Sequence, residues 1–430
     1  MTDPLPWLAP HRDTPFSGEV LVPGSKSLTN RVLILAALGD GPSVITRPLG
    51  SRDTNLMAAA LTTLGATIDR DGMTWTVTPA RTDATEPATI DCGLAGTVMR
   101  FVPLVAALGR AAVTFDGDEH ARVRPMAATI ATLRTLGVEV DDGGRGSLPF
   151  TVHGTGRVAG GTVEIDASSS SQFVSALLLV GARFEQGLDL RHTGATLPSM
   201  PHIEMTIAEL RRRGVRVDTD EPARWVVHPG PIDALDVEIE PDLSNAGVFI
   251  AGALVTGGDV RIRNWPRDTD QAGDAWRDIV PAFGGTVTQD GADLVFAAGP
   301  ELKGVELDLH DVGELTPVIA AMAALASSPS RLTGVAHLRG HETDRLAALV
   351  AEINRLGGDA EELEDGLLIR PRPLHGATFR TYDDHRMAHA AVVLGLRVPD
   401  LLVENVVTTI KTYPNFAPVW ERLMTAPAKV

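Results

Sequence analysis

The chain has 430 residues, 44% of them apolar and 22% charged, enough to bury two or three ordinary cores or two large ones. Its formal charge of −17 excludes a general binder of nucleic acid or anionic membranes, because no basic surplus exists to neutralise phosphates. Small anions need only a local basic pocket, and they remain as ligands.

The opening MTDPLPWLAPHRDTPF lacks the basic-then-apolar pattern of a signal peptide. The apolar runs are about a dozen residues long, short of the ~20 that span a bilayer. Cys92 is the only cysteine, which excludes an internal disulfide and a cysteine metal cluster. A cytoplasmic location without membrane contact, and a monomer, are expected.

Residues 22–31, VPGSKSLTNR, break a strand-like run at Pro23-Gly24 and open into a helix. A nucleotide P-loop needs its lysine directly after the second glycine. Here Ser25 separates Gly24 from Lys26, so the nucleotide reading fails on spacing. Lys26 is one of four lysines, with Lys303, Lys411 and Lys429, in a chain that otherwise uses arginine for positive charge. Lysine shifts its pKa readily, so it can move protons where arginine cannot.

Six segments share a strand, a polar break and an apolar helix: GEVLVPGSKSLTNRVLILAALGDG, ATIDCGLAGTVMRFVPLVAALG, GTVEIDASSSSQFVSALLLVGA, LDVEIEPDLSNAGVFIAGALVTGG, GVELDLHDVGELTPVIAAMAALA and ATFRTYDDHRMAHAAVVLGL. Their spacing of roughly 70 residues is too long for an ordinary solenoid. Between them recurs an amphipathic helix, a glycine turn and a hairpin, so each repeat reads as βαβαββ. The first helices are apolar nearly all round and must be buried on all sides. The second carry charge on one side (Glu209, Arg211, Arg212; Glu352, Asn354, Arg355). The predicted fold is α/β: two lobes, three repeats each, with helices inside and sheets outside, an inside-out barrel.

The sixth copy, from Ala377, is too short to finish itself, and Gly18–Val22 is expected to complete it. One lobe is then 1–20 plus 241–430 and the other 21–240. The crossings near 20–23 and 240–242 are expected to act as a hinge beside a cleft.

Every polar break falls at the N-terminus of a buried helix, where free N–H groups and the dipole favour anions. Capping alone accounts for many of the serines, asparagines and aspartates there. It does not account for Lys26, Arg31, Arg100, Arg124 and Arg386, because a cation in that position opposes the dipole. A pocket for multiply charged small anions would offset that conflict.

The motifs PGSKSLTNR (23–31), LAGTVMRF (94–101), RVRPM (122–126), SSSQF (169–173), HETDR (341–345), DDHRM (383–387) and IKTYPNF (410–416) resemble, in order and spacing over essentially the whole chain, those of the 5-enolpyruvylshikimate-3-phosphate synthase family. The resemblance implies enolpyruvyl transfer from phosphoenolpyruvate to the 5-hydroxyl of shikimate 3-phosphate, in aromatic amino-acid biosynthesis, without metal or cofactor. It assigns Lys26, Ser27 and Arg31 to shikimate 3-phosphate, and Ser170, Ser171 and Ser199 to its phosphate. Gln172 spans both ligands, and Gly96, with neighbouring Thr97, joins Arg124, Arg345, Arg386 and Lys411 around phosphoenolpyruvate, the position glyphosate takes in this family. His337, His341 and His385 complete the binding set. Glu314 is the implied base at the hydroxyl, Glu342 the proton carrier at the methylene, and Lys26 a third catalytic group.

On the residues alone, Glu314 reads equally well as a dipole partner, and Glu342 with Arg345 as a surface i,i+3 pair. Leu94, Glu314, His337 and His341 depart from the family's usual asparagine, aspartate, asparagine and lysine. Histidine titrates near neutrality, so ligand affinity is expected to weaken as pH rises through about 6–7. A rival of the same fold is UDP-N-acetylglucosamine enolpyruvyl transferase, which has Lys-Asn where this chain has Lys26-Ser27 and a reactive cysteine on a mobile loop. A non-catalytic binder of phosphorylated metabolites is the other rival. Replacing Lys26→Ala is expected to collapse turnover while circular dichroism stays native; near-normal turnover would refute its role.

Overall fold

The computed structural model describes residues 5–79 and 85–426. Lys429 and the first four residues of the predicted 1–20 segment lie outside the described residues. The chain forms two compact units, Met1–Pro23 with Glu240–Val430, and Gly24–Ile239.

In the Gly24–Ile239 unit the interior helices are Lys26–Ala37, Gly96–Ala107 and Gln172–Gly181. In the other unit they are Leu243–Thr256, Thr316–Ala324 and His385–Gly395. All 12 residues of the Gly96 helix and all 9 of the Thr316 helix are buried, as helices without a polar face require. Each large aliphatic or aromatic side chain so placed stabilises its unit by about 1.5–3 kcal/mol. Among the described residues no helix is long and apolar enough to cross a membrane.

Around the helices lie four-stranded sheets of one design. Ala88–Asp91 runs parallel to Ala112–Asp116, with the Gly96 helix as the crossover. Phe150–His153 then pairs antiparallel with both Ala112–Asp116 and Glu139–Asp141. Burial alternates along Ala112–Asp116, which turns Val113 and Phe115 inward. Gly161–Ile165 and Glu306–Asp308 begin sheets of the same order.

Two repeats depart from the expected pairing. Gly18–Val22 does not finish the sixth copy. Ser17–Val20 pairs parallel with Asp259–Ile262, and Trp7–Leu8 pairs antiparallel with Leu402–Val403 to close the sixth sheet. Val237–Glu238, read as the first strand of the fourth repeat, instead pairs parallel with Ser43–Thr46. The strands leading into the Lys26 and Leu243 helices are thus exchanged between repeats one and four. A two- to four-residue strand carries no sequence mark of which unfinished sheet it joins, which is why the reading went to the wrong partner.

The amphipathic helices also hold a surprise. Glu209 and Glu352, assigned to polar faces, are 3% and 0% exposed. Glu209 accepts from Arg212 and from the buried Arg213. Glu352 accepts from Tyr382 Oη at 2.7 Å, Arg355 Nε at 2.9 Å and the Arg380 amide at 3.0 Å. Arginines three and four residues on satisfy Glu209 locally, whereas Glu352 also needs Tyr382 and the Arg380 amide from a distant segment, and with these partners burial is tolerable. Glu209→Ala leaves Arg213 buried without its anion, and should destabilise the protein by about 3–5 kcal/mol in urea titration; a shift below about 1 kcal/mol would show that Arg213 finds another anion or water.

Candidate active site

In the Gly24–Ile239 unit the site residues gather at the N-termini of the three interior helices. Ser25 caps the Lys26 helix by accepting from the Leu28 amide, and Lys26 Nζ lies 3.5 Å from Asp53 Oδ2. The Gly96 and Gln172 helices have no side-chain cap bond. The Gln172 helix instead has its first two amides taken by Ser170, through its hydroxyl and its carbonyl. Arg100 donates to Gln172 Oε1 at 2.8 Å, and its guanidinium stacks 5.1 Å from the Phe173 ring. Burial, and then the neighbouring Arg124, lower its pKa well below the usual value.

A Cβ on Gly96 would stand 3.1 Å from Gln172 Oε1, 3.2 Å from Arg124 Nη2 and 3.3 Å from Arg100 Nη1. Glycine is needed there because two guanidiniums and an amide crowd the helix start. Arg124 itself does not sit in a first turn. It lies between helices Glu119–Arg122 and Ala127–Thr135 and donates to the Leu94 carbonyl at 3.3 Å, so Leu94 contributes its backbone where its side chain offers nothing polar.

Arg31 is 2% exposed, and burial pushes it down to about 10 against the Glu209 charge. Its donors reach Thr206 Oγ1, the Ser27 and His202 carbonyls and Ser175 Oγ at 2.8–3.3 Å. Four of its five N–H bonds are therefore spent on protein, and it clamps the Lys26 helix to the Gln172 and Met200–Arg212 helices. Ser170 Oγ accepts from the Gln172 amide at 3.3 Å and Thr97 Oγ1 from Asn30 Nδ2 at 2.7 Å. Ser199, at φ 57°, precedes the Met200 helix without capping it.

The other unit gathers Glu314, His337, His341, Glu342, Arg345, His385, Arg386 and Lys411 into one connected set. Asp384 caps the His385 helix by accepting from the Arg386 amide at 2.8 Å, and it takes a bidentate pair from Arg345 at 2.7 and 3.1 Å. Arg345 Nη1 meets His341 Nδ1 at 3.1 Å, and the His341 ring lies 5.8 Å from that of His337. Ser244 joins Glu314 to Arg386, its hydroxyl donating to Glu314 Oε1 at 3.3 Å and its carbonyl accepting from Arg386 Nη1 at 3.1 Å.

Glu342 is not on the surface. Its carboxylate accepts from Lys411 Nζ at 2.6 Å and His385 Nδ1 at 2.9 Å, with Arg345 at 4.0 Å. Burial would raise its pKa, but Lys411, His385 and Arg345 outweigh burial and hold it well below the carboxylate range. Burial pushes His385 down to about 4 against the pull of Glu342. The pair is thus an ionised carboxylate accepting a hydrogen bond from a neutral imidazole. Burial, with His310, also pushes His337 down to about 4. His337 stays neutral through pH 6–7, which removes it from the expected neutral-pH titration.

Ligand atoms of Glu342, Asp384 and His385 lie within 4.8 Å of one another, a spacing a metal could use. Lys411 and Arg345 already face those carboxylate oxygens, and a divalent ion would sit against two fixed cations. The sequence reading overlooked Asp53, and Asp384 as an anchor; for Asp384 the signal was its place just before the helix. Cys92 is fully buried, and burial with Asp91 and Asp116 raises its thiol, the opposite of a reactive cysteine.

Removing the cation beside Glu342 must raise its pKa. In Lys411→Met the acid limb of the kcat/KM profile should therefore move to higher pH, as the carboxylate takes up its proton earlier; an unmoved limb would dissociate Glu342 from that limb.

The profile of EPSP synthase (3-phosphoshikimate 1-carboxyvinyltransferase) matches residues 10–420. A 3-phosphoshikimate 1-carboxyvinyltransferase from Kocuria rhizophila is 55% identical over 428 residues, covering 97% of this chain and 96% of its own. Two structures of EPSP synthase from Acinetobacter baumannii superpose with TM-scores of 0.78 and 0.77 at 22% identity. They cover 96% and 97% of this chain, and 97% of each of theirs, and bear on the fold alone. The chain belongs to the EPSP synthase family, the 3-phosphoshikimate 1-carboxyvinyltransferases.

Proposed function

We propose that the residues described above carry the transfer of an enolpyruvyl group from phosphoenolpyruvate to the 5-hydroxyl of shikimate 3-phosphate. In the Gly24–Ile239 unit, Ser170, Ser171 and Ser199 offer hydroxyls to the shikimate phosphate, with Lys26 and Ser27 beside them. Arg31 acts there mainly by fixing Ser27 and the Met200 helix. Gly96, Thr97, Arg124 and Gln172, with Arg100 behind them, form a second anion position in that unit. In the other unit, Arg345, Arg386 and Lys411 are the cations that suit phosphoenolpyruvate.

The reaction is an addition followed by an elimination. The hydroxyl oxygen bonds to the middle carbon of phosphoenolpyruvate while its proton goes to a base and the methylene gains a proton. Phosphate then leaves from that carbon, and loss of a methyl proton restores the double bond. Glu314 is assigned to the hydroxyl proton. Glu342 is assigned to the methylene, passing on in the addition a proton taken from the Lys411 ammonium that donates to it at 2.6 Å, and accepting the methyl proton lost in the elimination. The observation that carries the reading is Glu342: a buried, ionised carboxylate held by Lys411 at 2.6 Å and by His385 at 2.9 Å. A purely structural carboxylate would gain more from a backbone partner, as Asp384 has. The single, buried cysteine suits a reducing, cytoplasmic setting.

Inorganic phosphate should be released from phosphoenolpyruvate with shikimate 3-phosphate and not with UDP-N-acetylglucosamine, and Glu342→Gln should lower kcat by about 10²–10⁴-fold. Absence of release with shikimate 3-phosphate would overturn the proposal, and release with the UDP-sugar alone would transfer it to that acceptor.

A further inference from the structure

The serine run that precedes the Gln172 helix is built on a small, specific support. The Gly161–Ile165 strand ends into Asp166, and Asp166 Oδ1 accepts from the Ser168 amide at 2.9 Å. The next fixed point is the Ala167 amide, which donates to His192 Nδ1 at 3.1 Å from the end of the Leu188–His192 strand. The Ser170 amide then returns to the Ala167 carbonyl at 3.0 Å, and the Phe173 amide to the Ser170 carbonyl at 3.3 Å. Ala167 is thus held at both its ends, by His192 on one side and by Ser170 on the other.

A backbone amide can only donate, so Nδ1 of His192 must be the acceptor and the ring proton must sit on Nε2. Nε2 is buried without a hydrogen-bond partner, so the bond from the Ala167 amide is the one directional contact of the ring nitrogens. Gly194 shows how closely the loop is seated. A Cβ there would lie 2.1 Å from Ser168 Oγ, 2.2 Å from Asp166 Oδ1 and 2.7 Å from His192 Cε1. No such atom fits, so the strand end and the serine run are in direct contact.

We propose that His192 is a positioning residue for phosphate binding. As the neutral Nε2–H tautomer it accepts the Ala167 amide and thereby sets where the hydroxyls of Ser170 and Ser171 stand. This rests on the assignment of those serines to the shikimate phosphate. His192 touches no ligand. Its effect falls on the affinity of one substrate and leaves the chemistry of transfer alone.

The test compares His192→Ala, His192→Asn and His192→Gln with Ser170→Ala in steady-state kinetics on both substrates. Asparagine places its Oδ1 where Nδ1 stands, whereas glutamine carries its acceptor one bond further out. Loss of one such bond should raise KM for shikimate 3-phosphate by about 3–10-fold in the alanine and glutamine enzymes. Both kcat and KM for phosphoenolpyruvate should stay within about twofold, and asparagine should restore KM. If the alanine enzyme fails to fold by circular dichroism, the asparagine–glutamine contrast decides. Equal behaviour of those two, or a fall in kcat in both, would overturn the role of His192. A normal KM in Ser170→Ala would overturn the serine assignment itself, whereas an impaired Ser170→Ala beside a normal His192→Gln would overturn only the inference.

Discussion

The constraint on which the rest depends is that six helices have no side fit for water. Helices such as Thr316–Ala324 and Gly96–Ala107 must be enclosed by protein all round, and the sheets and amphipathic helices are arranged to do so. Enclosure leaves their N-termini as the places where polar chemistry can enter. Side chains along the helix flanks are committed to packing, so the first turn and the residues just before it carry the function. Sequence variety is concentrated there, in GSKS, LAGT, SSSQ and DDHR, while the helices that follow are nearly interchangeable.

A cation at such an end is held against the dipole. The two units meet that cost differently. In the unit containing Lys411, carboxylates are interleaved with cations: Asp384 with Arg345, and Glu342 with Lys411. In the Gly24–Ile239 unit, Lys26 faces Asp53 at 3.5 Å, while burial and then the neighbouring Arg124 lower Arg100, and the two guanidiniums meet amide and carbonyl oxygens in Gln172 and Leu94. The first arrangement is nearly balanced and suits proton handling, because small displacements of charge change a carboxylate's affinity for its proton. The second sets two guanidiniums side by side against neutral oxygens, which suits holding a phosphate or carboxylate.

Much of this was legible before any coordinates. The six repeats, the buried class of helix and the placement of polar breaks follow from periodicity, which burial enforces strictly. Less legible was whatever depended on a partner distant in sequence. Ser17–Val20 and Val237–Glu238 exchange sheets because a short strand does not name its neighbour. Glu352 looks like a solvated charge until Tyr382, 30 residues on, is seen to meet it. Arg31 reads as a ligand cation, but its donors are absorbed by Thr206, Ser175 and two carbonyls. His337, with His341, reads as a neutral-pH titrator, and burial takes His337 to about 4.

The same reasoning separates two carboxylates that stand side by side. Asp384 is fully buried, and both its oxygens are engaged: one by the Arg386 amide and Arg345 Nη2, the other by Arg345 Nε. Protonating it would strip a helix cap and a bidentate pair together, so its charge is structural. Glu342 has no backbone bond. Its hydrogen-bond partners are the ammonium of Lys411 and the neutral ring of His385. Protonating Glu342 dissolves only side-chain contacts and leaves the His385 helix intact. Of two acids that both neighbour His385, only the one without a backbone commitment can take up a proton without undoing the start of a helix, which is why the proposed proton carrier is Glu342 and not Asp384.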